Sequence, residues 1–333
     1  MNRESQLLDF LKMKFPEASG LQLTAMSRMP EGWSRESYTF DLEWSNDDDQ
    51  KEQHALVLRI DPSGSLIYSD RNIEFHVIEA VHKAGFPVPQ MWFLETGANP
   101  LGAPFLIMER VTGTASPEIL YAENFEKERN TLGERFIELL SELHNMDIDS
   151  LDLPFVDRPT NDNAAELSLD HWEKTMREQQ LEPQPFLTEG FRWLRANAPK
   201  APRVSLLHGD YRAGNFLFEE DRITAIVDWE LASLGDPLQD LGWAVMNLWR
   251  LNNKICGFYE LEEFLQRYEE VSGIPVDRQA MVWWEVWANM KLAVIGLTGT
   301  RTRVLNLADE INYSISHLYL PPLFAEMAKG MGI

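Results

Sequence analysis

The stretch LLHGDYRAGNFLF, residues 206–218, places two polar side chains on one short loop between apolar segments. Asp210 supplies a carboxylate there, and Asn215 supplies an amide five residues later. The strand-like FLFE after Asn215, the polar EEDR and the ITAIV that leads into Asp228 predict a tight hairpin. Because Asn215 and Asp228 flank this hairpin, their side chains are predicted to reach its open end, where Asp210 also lies.

These three side chains suit phosphate chemistry assisted by a divalent cation. Carboxylate and amide oxygens are hard ligands for magnesium, which keeps several waters and shares its remaining positions with phosphates. A further carboxylate that lies beside the ion but does not bind it can accept the proton of an attacking hydroxyl. The spacing therefore predicts a site for magnesium and a nucleoside triphosphate.

The first third of the chain has the pattern of antiparallel strands. TFDLEW and HALVLRI flank the polar SNDDDQKEQ and predict one hairpin, and QMWFLE and PFLIMERV flank TGANPLGA and predict a second. Between them, Ser69 or Asp70 can cap a helix whose apolar periodicity ends at Gly85. These segments predict one helix packed on an antiparallel sheet.

The sequence after Gly113 changes to amphipathic helices, interrupted by strand-like sequence only at 204–228. The helices are predicted near residues 132–145, 168–180, 185–197, 237–250, 260–272, 277–298 and 303–328. We therefore predict an α+β, two-lobed fold, with a small sheet lobe over 1–110 and a larger, mainly helical lobe over 111–333. The cleft between the lobes is the expected ligand site.

Composition argues against several classes of partner. A net charge of −23 on 333 residues makes nucleic acid a poor ligand. The single cysteine, Cys256, cannot form an intrachain disulfide, which favours a reducing, cytoplasmic location. Charged residues interrupt the apolar N-terminal segment, so we expect a soluble, unprocessed chain with no membrane partner. The apolar segment 281–297 carries Glu285, Asn289 and Lys291 and is predicted to be a buried helix.

HGDYRAGN, followed by IVDWE and GDPLQDL, resembles the aminoglycoside phosphotransferase and choline kinase group of the protein-kinase-like fold, and within it a branch of small-molecule phosphotransferases with diverse substrates. The resemblance implies a kinase that uses ATP, or GTP, with magnesium. It assigns Asp210 as the catalytic base and Asn215 and Asp228 as magnesium ligands. Arg212 matches a position where many protein kinases carry a lysine against the transferred phosphate, but a surface arginine paired with a neighbouring carboxylate is an equally open alternative.

Three further polar residues are predicted to support this loop without touching the substrate. His208 would hold the loop rather than act as a base, since Asp210 already supplies one. Asp236 and Asp240, in GDPLQDL, resemble the carboxylates at a helix start that bind loop backbone amides in this family.

The small lobe matches the family pattern less fully. On HALVLRI, Val57 and Arg59 share one face, the arrangement expected where one side chain covers an adenine and the next reaches a phosphate. Protein kinases carry lysine at the second of these positions. Arg59 can still bridge a phosphate and a helix carboxylate, and Glu74 is its expected partner.

Two loop segments complete the expected nucleotide site. MPEGWSRESYTF has one glycine, Gly32, and resembles the phosphate-covering turn of the phosphotransferase branch, in which Ser34 and nearby amides would touch phosphate. An ordinary β-turn is the competing interpretation of this segment. MERVTG resembles the kinase hinge, where backbone groups near Glu109 and Val111 would bind the adenine edge.

The motifs leave two classes of function open. The first is a kinase that phosphorylates a hydroxyl of a small molecule. A protein kinase is disfavoured, because Gly235 comes only seven positions after Asp228 and no Ala-Pro-Glu follows. The second class is a nucleotide-binding but catalytically inactive regulatory protein.

No motif identifies the acceptor, which is expected to lie against the helical lobe at 168–197 and 277–310. The acidic charge mildly favours an amine-bearing alcohol, such as an aminoglycoside or a choline-like compound. Relatives of this branch are fused to acyl-CoA dehydrogenases, which makes a hydroxyacyl compound the alternative. The sequence leaves the oligomeric state and the choice between ATP and GTP open.

Overall fold

The computed structural model of the chain describes residues 3–29, 36–45, 51–61, 70–307 and 316–333. Its first part contains helix α1 (Arg3–Lys14), strands β1 (Ser19–Arg28), β2 (Glu36–Ser45) and β3 (Lys51–Ile60), helix α2 (Arg71–Lys83), and strands β4 (Met91–Glu95) and β5 (Phe105–Glu109). The five strands form one sheet in the order β1-β2-β3-β5-β4, in which every neighbouring pair is antiparallel.

Both hairpins predicted for the sheet lobe are confirmed. β2 pairs with β3, so that Thr39 lies opposite Val57, and β4 pairs with β5. The predicted helix between the hairpins is α2. It begins after Asp70, whose carboxylate accepts the backbone N–H of Asn72 at 2.8 Å and so caps the first turn.

Strand β3 presents one apolar face and one mixed face. Leu56, Leu58 and Ile60 are buried in the core of the sheet lobe. Val57 and Arg59 are half-buried and point to the opposite face, because successive side chains of a strand alternate between faces. This opposite face is the one from which Arg59 reaches the helical lobe.

The helical lobe contains the rest of the described chain. Its helices are α3 (Pro117–Leu120), α4 (Glu126–Asn145), α5 (Ala164–Gln179), α6 (Pro185–Ala196), α7 (Leu238–Ala244), α8 (Leu261–Ser272), α9 (Arg278–Val304) and α10 (Leu320–Met331). Its short strands are β6 (Ser205–Leu207), β7 (Phe216–Glu219), β8 (Arg222–Ile226), β9 (Ser233–Gly235), β10 (Arg250–Leu251) and β11 (Lys254–Ile255). They pair as β6 with β9, β7 with β8 and β10 with β11. The predicted α+β class, with a small sheet lobe and a larger helical lobe, is confirmed.

Helix α9 is the central element of the helical lobe. It packs against α5, α6, α7 and α10, and it buries the side chains of Trp283, Trp284 and Trp287. This is the segment that the sequence analysis predicted to be a buried helix. None of the helices in the described ranges combines the length and the apolarity needed to cross a lipid bilayer.

The helix predicted over 237–250 is shorter than expected, because α7 ends at Ala244. The Nε–H of Arg250 donates to the carbonyl of Val245 at 2.9 Å, and this bond satisfies a backbone acceptor where the helix ends. A turn of 3-10 helix at Asn247–Trp249 and the β10–β11 hairpin follow.

The helix predicted over 303–328 also has different bounds. α9 continues to Val304, and α10 begins only at Leu320. Proline is well suited to the first turn of a helix, where its missing N–H costs nothing, and Pro321 and Pro322 occupy that turn in α10.

The buried apolar side chains form two clusters. One lies between α1 and the five-stranded sheet and includes Phe10, Phe40 and Phe105. The other fills the helical lobe and takes in Val77 and Val81 of α2, so this helix packs toward the second cluster. The lobe boundary at 110–111 remains a prediction.

Candidate active site

The loop between β6 and β7 carries His208, Asp210, Arg212 and Asn215, and its backbone is tightly packed. Gly209 has a φ of +81°, and a Cβ atom at this position would lie 2.1 Å from the carbonyl oxygen of Leu231. Only glycine fits both the backbone conformation and the contact. The backbone at Gly209 therefore packs in one conformation against the segment that follows Asp228.

The carboxylate of Asp240, in α7, anchors this loop. One oxygen accepts the backbone N–H of His208 and the other accepts that of Gly209, each at 2.8 Å. The carboxylate also contacts Nε2 of His144 at 3.3 Å, and Nδ1 of His144 lies 2.7 Å from the hydroxyl of Tyr268. Burial by itself would raise the pKa of Asp240, but His144 and the loop amide lower it below its ordinary value. Asp240 is therefore an ionised anchor for two consecutive amides.

Both ring nitrogens of His208 are engaged with the backbone. Nδ1 accepts the N–H of Asp210 at 3.1 Å, so Nε2 carries the proton and donates it to the carbonyl of Val227 at 2.9 Å. Burial lowers the pKa of His208, which agrees with a neutral ring. The ring connects the Asp210 loop to the end of the β7–β8 hairpin and has no nitrogen left for proton transfer.

The carboxylate of Asp210 is the centre of a polar cluster. Its Oδ1 accepts the indole N–H of Trp243 at 2.5 Å and the Nε–H of Arg212 at 2.9 Å. Its Oδ2 accepts the side-chain N–H of Asn215 at 2.5 Å, and the same amide donates to the Asp210 carbonyl at 2.9 Å. Only 16% of the Asp210 side chain is exposed. The carboxylate is thus held in one orientation while a small part of it faces solvent.

Arg212 lies between this carboxylate and an aromatic ring. Its guanidinium carbon is 4.6 Å from the ring centroid of Trp249, a cation–π distance. Burial would lower the pKa of Arg212, but the charge of Asp210 raises it, so the side chain is a cation. The alternative of an arginine paired with a neighbouring carboxylate describes this geometry, and a role at the transferred phosphate remains a prediction.

The β7–β8 hairpin brings the two predicted metal ligands, Asn215 and Asp228, to the same end. The N–H of Val227 donates to the Asn215 carbonyl at 2.9 Å, so Asn215 lies next to Asp228 across the hairpin. Asp228 has a φ of +65°, a left-handed conformation that is uncommon outside glycine and is found at functional sites. Because the amide nitrogen of Asn215 is bonded to Asp210, its oxygen is the atom left to bind a cation.

Arg59 connects Asp228 to the sheet lobe. Its Nη2 donates to the Asp228 carboxylate at 2.8 Å, and its Nη1 lies 3.4 Å from an oxygen of Glu74. Burial would lower the pKa of Arg59, but the charges of Asp228 and Glu74 raise it above its ordinary value. The structure thus contains the Arg59–Glu74 pair expected from the sequence, together with a shorter bond to Asp228.

Glu74 is shared with a second arginine. Arg71 donates to Glu74 at 2.8 Å and through its Nε to Asp61 at 2.9 Å. Only 1% of the Glu74 side chain and 4% of the Arg71 side chain are exposed, and buried charges require such partners. Asp61, Arg71, Glu74, Arg59 and Asp228 therefore form a continuous chain of alternating charges that ends at the β7–β8 hairpin.

The donor set at the hairpin end fits magnesium. The Asn215 oxygen and the Asp228 carboxylate, 41% exposed, are both hard oxygen ligands. Within the described part of the chain, no three Asp, Glu, His or Cys side chains cluster in a way that could hold a metal ion. Magnesium does not need such a cluster, because one or two protein ligands, several waters and the phosphates of a nucleotide complete its shell.

Two loop segments were predicted to complete the nucleotide site. Gly32 and Ser34 lie outside the described residues. The backbone N–H of Glu109 donates to the carbonyl of Gln90 at 2.8 Å and is therefore committed to the sheet. Val111 follows at the start of the connection and is half-buried. Adenine binding near Glu109 and Val111 remains a prediction.

Sequence reasoning missed three residues that contact the site. Trp243 donates to Asp210, and its spacing of three residues from Asp240, one helical turn, was the available signal. Lys291 donates to the carbonyl of Gly209, and its signal was a single cation inside an apolar helix. Arg71, the second partner of Glu74, had no signal beyond its position one turn before that residue.

Asp236 differs from Asp240 in its partners. Its carboxylate accepts the backbone N–H of Leu238, at the start of α7, at 2.9 Å and the indole N–H of Trp284 at 3.2 Å. The side chain is fully buried, and this burial raises the pKa of Asp236 to about 7. Asp236 thus supports the packing of α7 on α9 rather than the amides of the Asp210 loop.

The raised pKa of Asp236 predicts a pH dependence of stability. The unfolded chain releases the Asp236 proton near pH 3.8, whereas the folded chain keeps it to about pH 7. Between these values the unfolded state binds fewer protons, so the free energy of unfolding falls by up to about 1.4 kcal/mol per pH unit as pH rises. In urea unfolding, wild type should lose stability relative to Asp236→Asn between pH 4 and 7. The exposed Asp221→Asn should follow wild type, and a constant difference for Asp236→Asn would contradict the prediction.

The chain has sequence relatives that are much longer than itself. A model of the phosphotransferase enzyme family matches residues 26–283. Acyl-CoA dehydrogenase family member 11 of Gallus gallus is 33% identical over 200 residues, which cover 59% of this chain and 25% of that protein. The protein of the same name from Pongo abelii is 30% identical over 241 residues, which cover 68% of this chain and 31% of that protein. The chain thus spans about a quarter to a third of the length of these curated relatives.

Solved structures share the fold over nearly the whole chain. A Ralstonia eutropha JMP134 protein provisionally named an aminoglycoside phosphotransferase has a TM-score of 0.74 at 20% identity, covering 97% of this chain and 98% of that one. A choline/ethanolamine kinase family protein from Mesorhizobium loti has a TM-score of 0.59 at 20% identity, covering 92% and 88%. A thermostable mutant of aminoglycoside phosphotransferase APH(4)-Ia, in a ternary complex with AMP-PNP and hygromycin B, has a TM-score of 0.59 at 15% identity, covering 98% of both chains.

Proposed function

Because the chain belongs to the phosphotransferase enzyme family and has the fold of small-molecule kinases, we propose that it transfers the terminal phosphoryl group of ATP, or GTP, to a hydroxyl of a small molecule. The observation that carries this proposal is the Asp210 cluster. A carboxylate fixed by Trp243, Arg212 and Asn215 lies next to the hairpin end that presents Asp228. This is the juxtaposition of a proton acceptor and a cation site that phosphoryl transfer requires.

The roles of the residues follow from their contacts. Asp210 accepts the proton of the acceptor hydroxyl, since its carboxylate is oriented and His208 has no free ring nitrogen. Arg212, held beside that carboxylate, offsets negative charge on the transferred phosphoryl group. Asn215 and Asp228 would hold magnesium, which when bound neutralises charge on the nucleotide phosphates.

The nucleotide lies between the sheet lobe and the hairpin in this proposal. Val57 would cover the base, and Arg59, on the same face of β3, would contact phosphate. Arg59 is held between Asp228 and Glu74, so its guanidinium already points toward the cation site. Backbone groups near Glu109 and Val111, together with Gly32 and Ser34, would complete the binding of base and phosphates.

A double-mutant cycle tests the Arg59–Glu74 pair. We expect Arg59→Lys and Glu74→Gln each to weaken MgATP binding, because either change disturbs the orientation of the cation at position 59. The combined loss should be smaller than the sum of the single losses by about 0.5–3 kcal/mol, the range seen for residues in one network. Calorimetric titration measures all four affinities. Fully additive losses would show that Glu74 does not act through Arg59.

Arg278→Lys is the control for this cycle. Arg278 pairs with Glu262 at 2.6 Å in the helical lobe, outside the charge chain that ends at Asp228. The change replaces an arginine by a lysine within an ion pair, as Arg59→Lys does, but should leave the affinity for MgATP near that of wild type.

Two aromatic faces near Asp210 bear on the class of acceptor. Arg212 covers Trp249, and the ammonium of Lys291 lies 4.2 Å from the ring centroid of Trp243. Cations of the chain itself thus occupy faces that would otherwise bind a quaternary ammonium group. This favours a hydroxyacyl compound over a choline-like acceptor, and the names of the curated relatives, acyl-CoA dehydrogenases, agree with that choice.

An acceptor screen tests the proposal. Consumption of ATP and of GTP would be followed with hydroxyacyl thioesters and with amino alcohols, including aminoglycosides and choline. The matched control for each hydroxyacyl compound is the acyl compound without the hydroxyl. Turnover that requires the hydroxyl supports the proposal, and turnover only with amino alcohols would reverse the preference between the two classes. Nucleotide consumption that no hydroxyl compound stimulates would count against phosphotransfer to a small molecule.

A further inference from the structure

Lys291 is a buried cation that the proposed reaction does not use directly. It lies in α9 with 1% of its surface exposed, among the rings of Trp172, Trp243 and Trp287. The distances from its Nζ to the three ring centroids are 5.5, 4.2 and 5.3 Å. Its ammonium donates to the carbonyl oxygen of Gly209. A buried ammonium is costly, so its retention at this place calls for a function.

Two of these contacts connect Lys291 to Asp210, one through the backbone of the loop and one through the side chain of Trp243. The Gly209 carbonyl belongs to the peptide bond that joins Gly209 to Asp210, so the ammonium fixes the backbone immediately before the carboxylate. The ring of Trp243 stacks under the same ammonium, while its indole N–H donates to Oδ1 of Asp210 at 2.5 Å. One cation therefore orients both the main chain of Asp210 and a hydrogen-bond donor of its side chain.

We infer that Lys291 is a positioning residue for Asp210, holding the carboxylate in line for proton abstraction through Gly209 and Trp243. This inference rests on the proposed function, in which Asp210 is the base. Lys291 does not touch the reacting atoms, so its effect is expected on the rate of turnover rather than on the binding of nucleotide.

Because the Lys291 ammonium can lose its proton, its positioning of Asp210 should depend on pH. Burial lowers the pKa of Lys291 to about 8, while Asp210 in the loop and Asp240 in α7 act in the opposite direction. His171 in α5 is the further titratable group that senses the Lys291 charge. Below about pH 8 the ammonium is charged and positions Asp210. Above about pH 8 the charge is lost, and this positioning is lost with it. Turnover should therefore fall as pH rises through this region.

Removing the charge of Lys291 should not lower the stability of the fold, whereas a change to a residue needed only for packing would. The folded chain binds the Lys291 proton less tightly than the unfolded chain, whose lysine titrates near pH 10.5. At pH 7 the charged lysine thus opposes folding. We expect Lys291→Met, which keeps an unbranched side chain one atom shorter and without the charge, to leave the midpoint of urea unfolding level or raised.

The experiment compares the full chain with Lys291→Met, Trp243→Phe and the double variant. The first readout is the hydrolysis of MgATP, in which water replaces the unidentified acceptor. Lys291→Met should lower kcat by about 10- to 100-fold with little change in nucleotide affinity, and it should lack the decline near pH 8. The double variant should lose little more than either single variant, because both act on Asp210. Lys200→Met, whose side chain is 80% exposed, is the control and should match wild type.

The second readout does not depend on turnover. The indole N–H resonance of Trp243, identified by its loss in Trp243→Phe, reports the bond to Asp210 directly. In Lys291→Met this resonance should shift and its N–H should exchange faster with solvent, while Lys200→Met leaves it unchanged. If wild type transfers phosphate neither to water nor to any compound of the acceptor screen, the proposed function falls, and the resonance still decides whether Lys291 holds Asp210.

A packing role would give a different result. Lys291→Met would then lower the unfolding midpoint and kcat together, keep the decline of turnover near pH 8 and leave the Trp243 resonance as in wild type. That outcome overturns the inference.

Discussion

Asp210→Asn is expected to lose turnover by roughly 10²- to 10⁴-fold while it keeps the nucleotide affinity of wild type. The substitution preserves the shape of the side chain, and the new amide oxygen can still accept one of its two present donors, the indole of Trp243 or the amide of Asn215. The Asn215 amide can also keep its bond to the backbone carbonyl of residue 210. What is lost is the ability to accept a proton from the hydroxyl. The measurement is the steady-state rate with the best acceptor, or with water, together with calorimetric titration of MgATP.

Asp221→Asn is the matched control for this change. Asp221 is exposed at the turn of the β7–β8 hairpin, in the same lobe as Asp210. The same chemical change there should alter neither rate nor affinity. Turnover by Asp210→Asn within tenfold of wild type would show that Asp210 is not the base. A wild-type chain that binds nucleotide without turnover would support the inactive regulatory protein instead.

The second large effect is expected for Asp228→Asn, in which magnesium should no longer strengthen nucleotide binding. Asparagine tolerates the left-handed conformation that Asp228 adopts at φ +65°, so the backbone should be retained. The loss of a metal ligand should lower turnover by about 100-fold or more. Calorimetric titration of ATP with and without magnesium on both proteins measures the effect.

The affinity for ATP measured without magnesium distinguishes a metal-ligand role of Asp228 from a structural one. Arg59 bonds to Asp228 at 2.8 Å, and the substitution removes the negative charge that competes with phosphate for this arginine. Metal-free affinity for ATP should therefore stay level or improve in Asp228→Asn. A loss of affinity that is equal with and without magnesium would mean that Asp228 shapes the cleft and does not bind the ion.

Local patterns in the sequence predicted the elements of the fold well. The alternation of apolar and polar residues in HALVLRI assigned Val57 and Arg59 to one face of β3, and the structure has them there. Asp70 was expected to cap the helix that became α2. Such features depend on residues a few positions apart, which the sequence displays directly.

Contacts between distant segments could not be predicted in the same way. The sequence indicated Glu74 as the partner of Arg59, but the shorter bond goes to Asp228, 169 residues away. His144 and Tyr268, which support Asp240, are 124 residues apart and lie on different helices. The place of Lys291 under the Gly209 carbonyl likewise depends on how α9 packs against the loop. Only the tertiary packing of helices brings these side chains to the site.

The most direct test of the central claim is transfer of a labelled phosphoryl group. The full chain would be incubated with magnesium, ATP labelled in its γ-phosphoryl group and the hydroxyl compounds of the acceptor screen. We expect label attached covalently to the hydroxyl of one class of compound, and none with Asp210→Asn. Label that remains in ATP, or appears only as inorganic phosphate with every acceptor, would contradict the central claim.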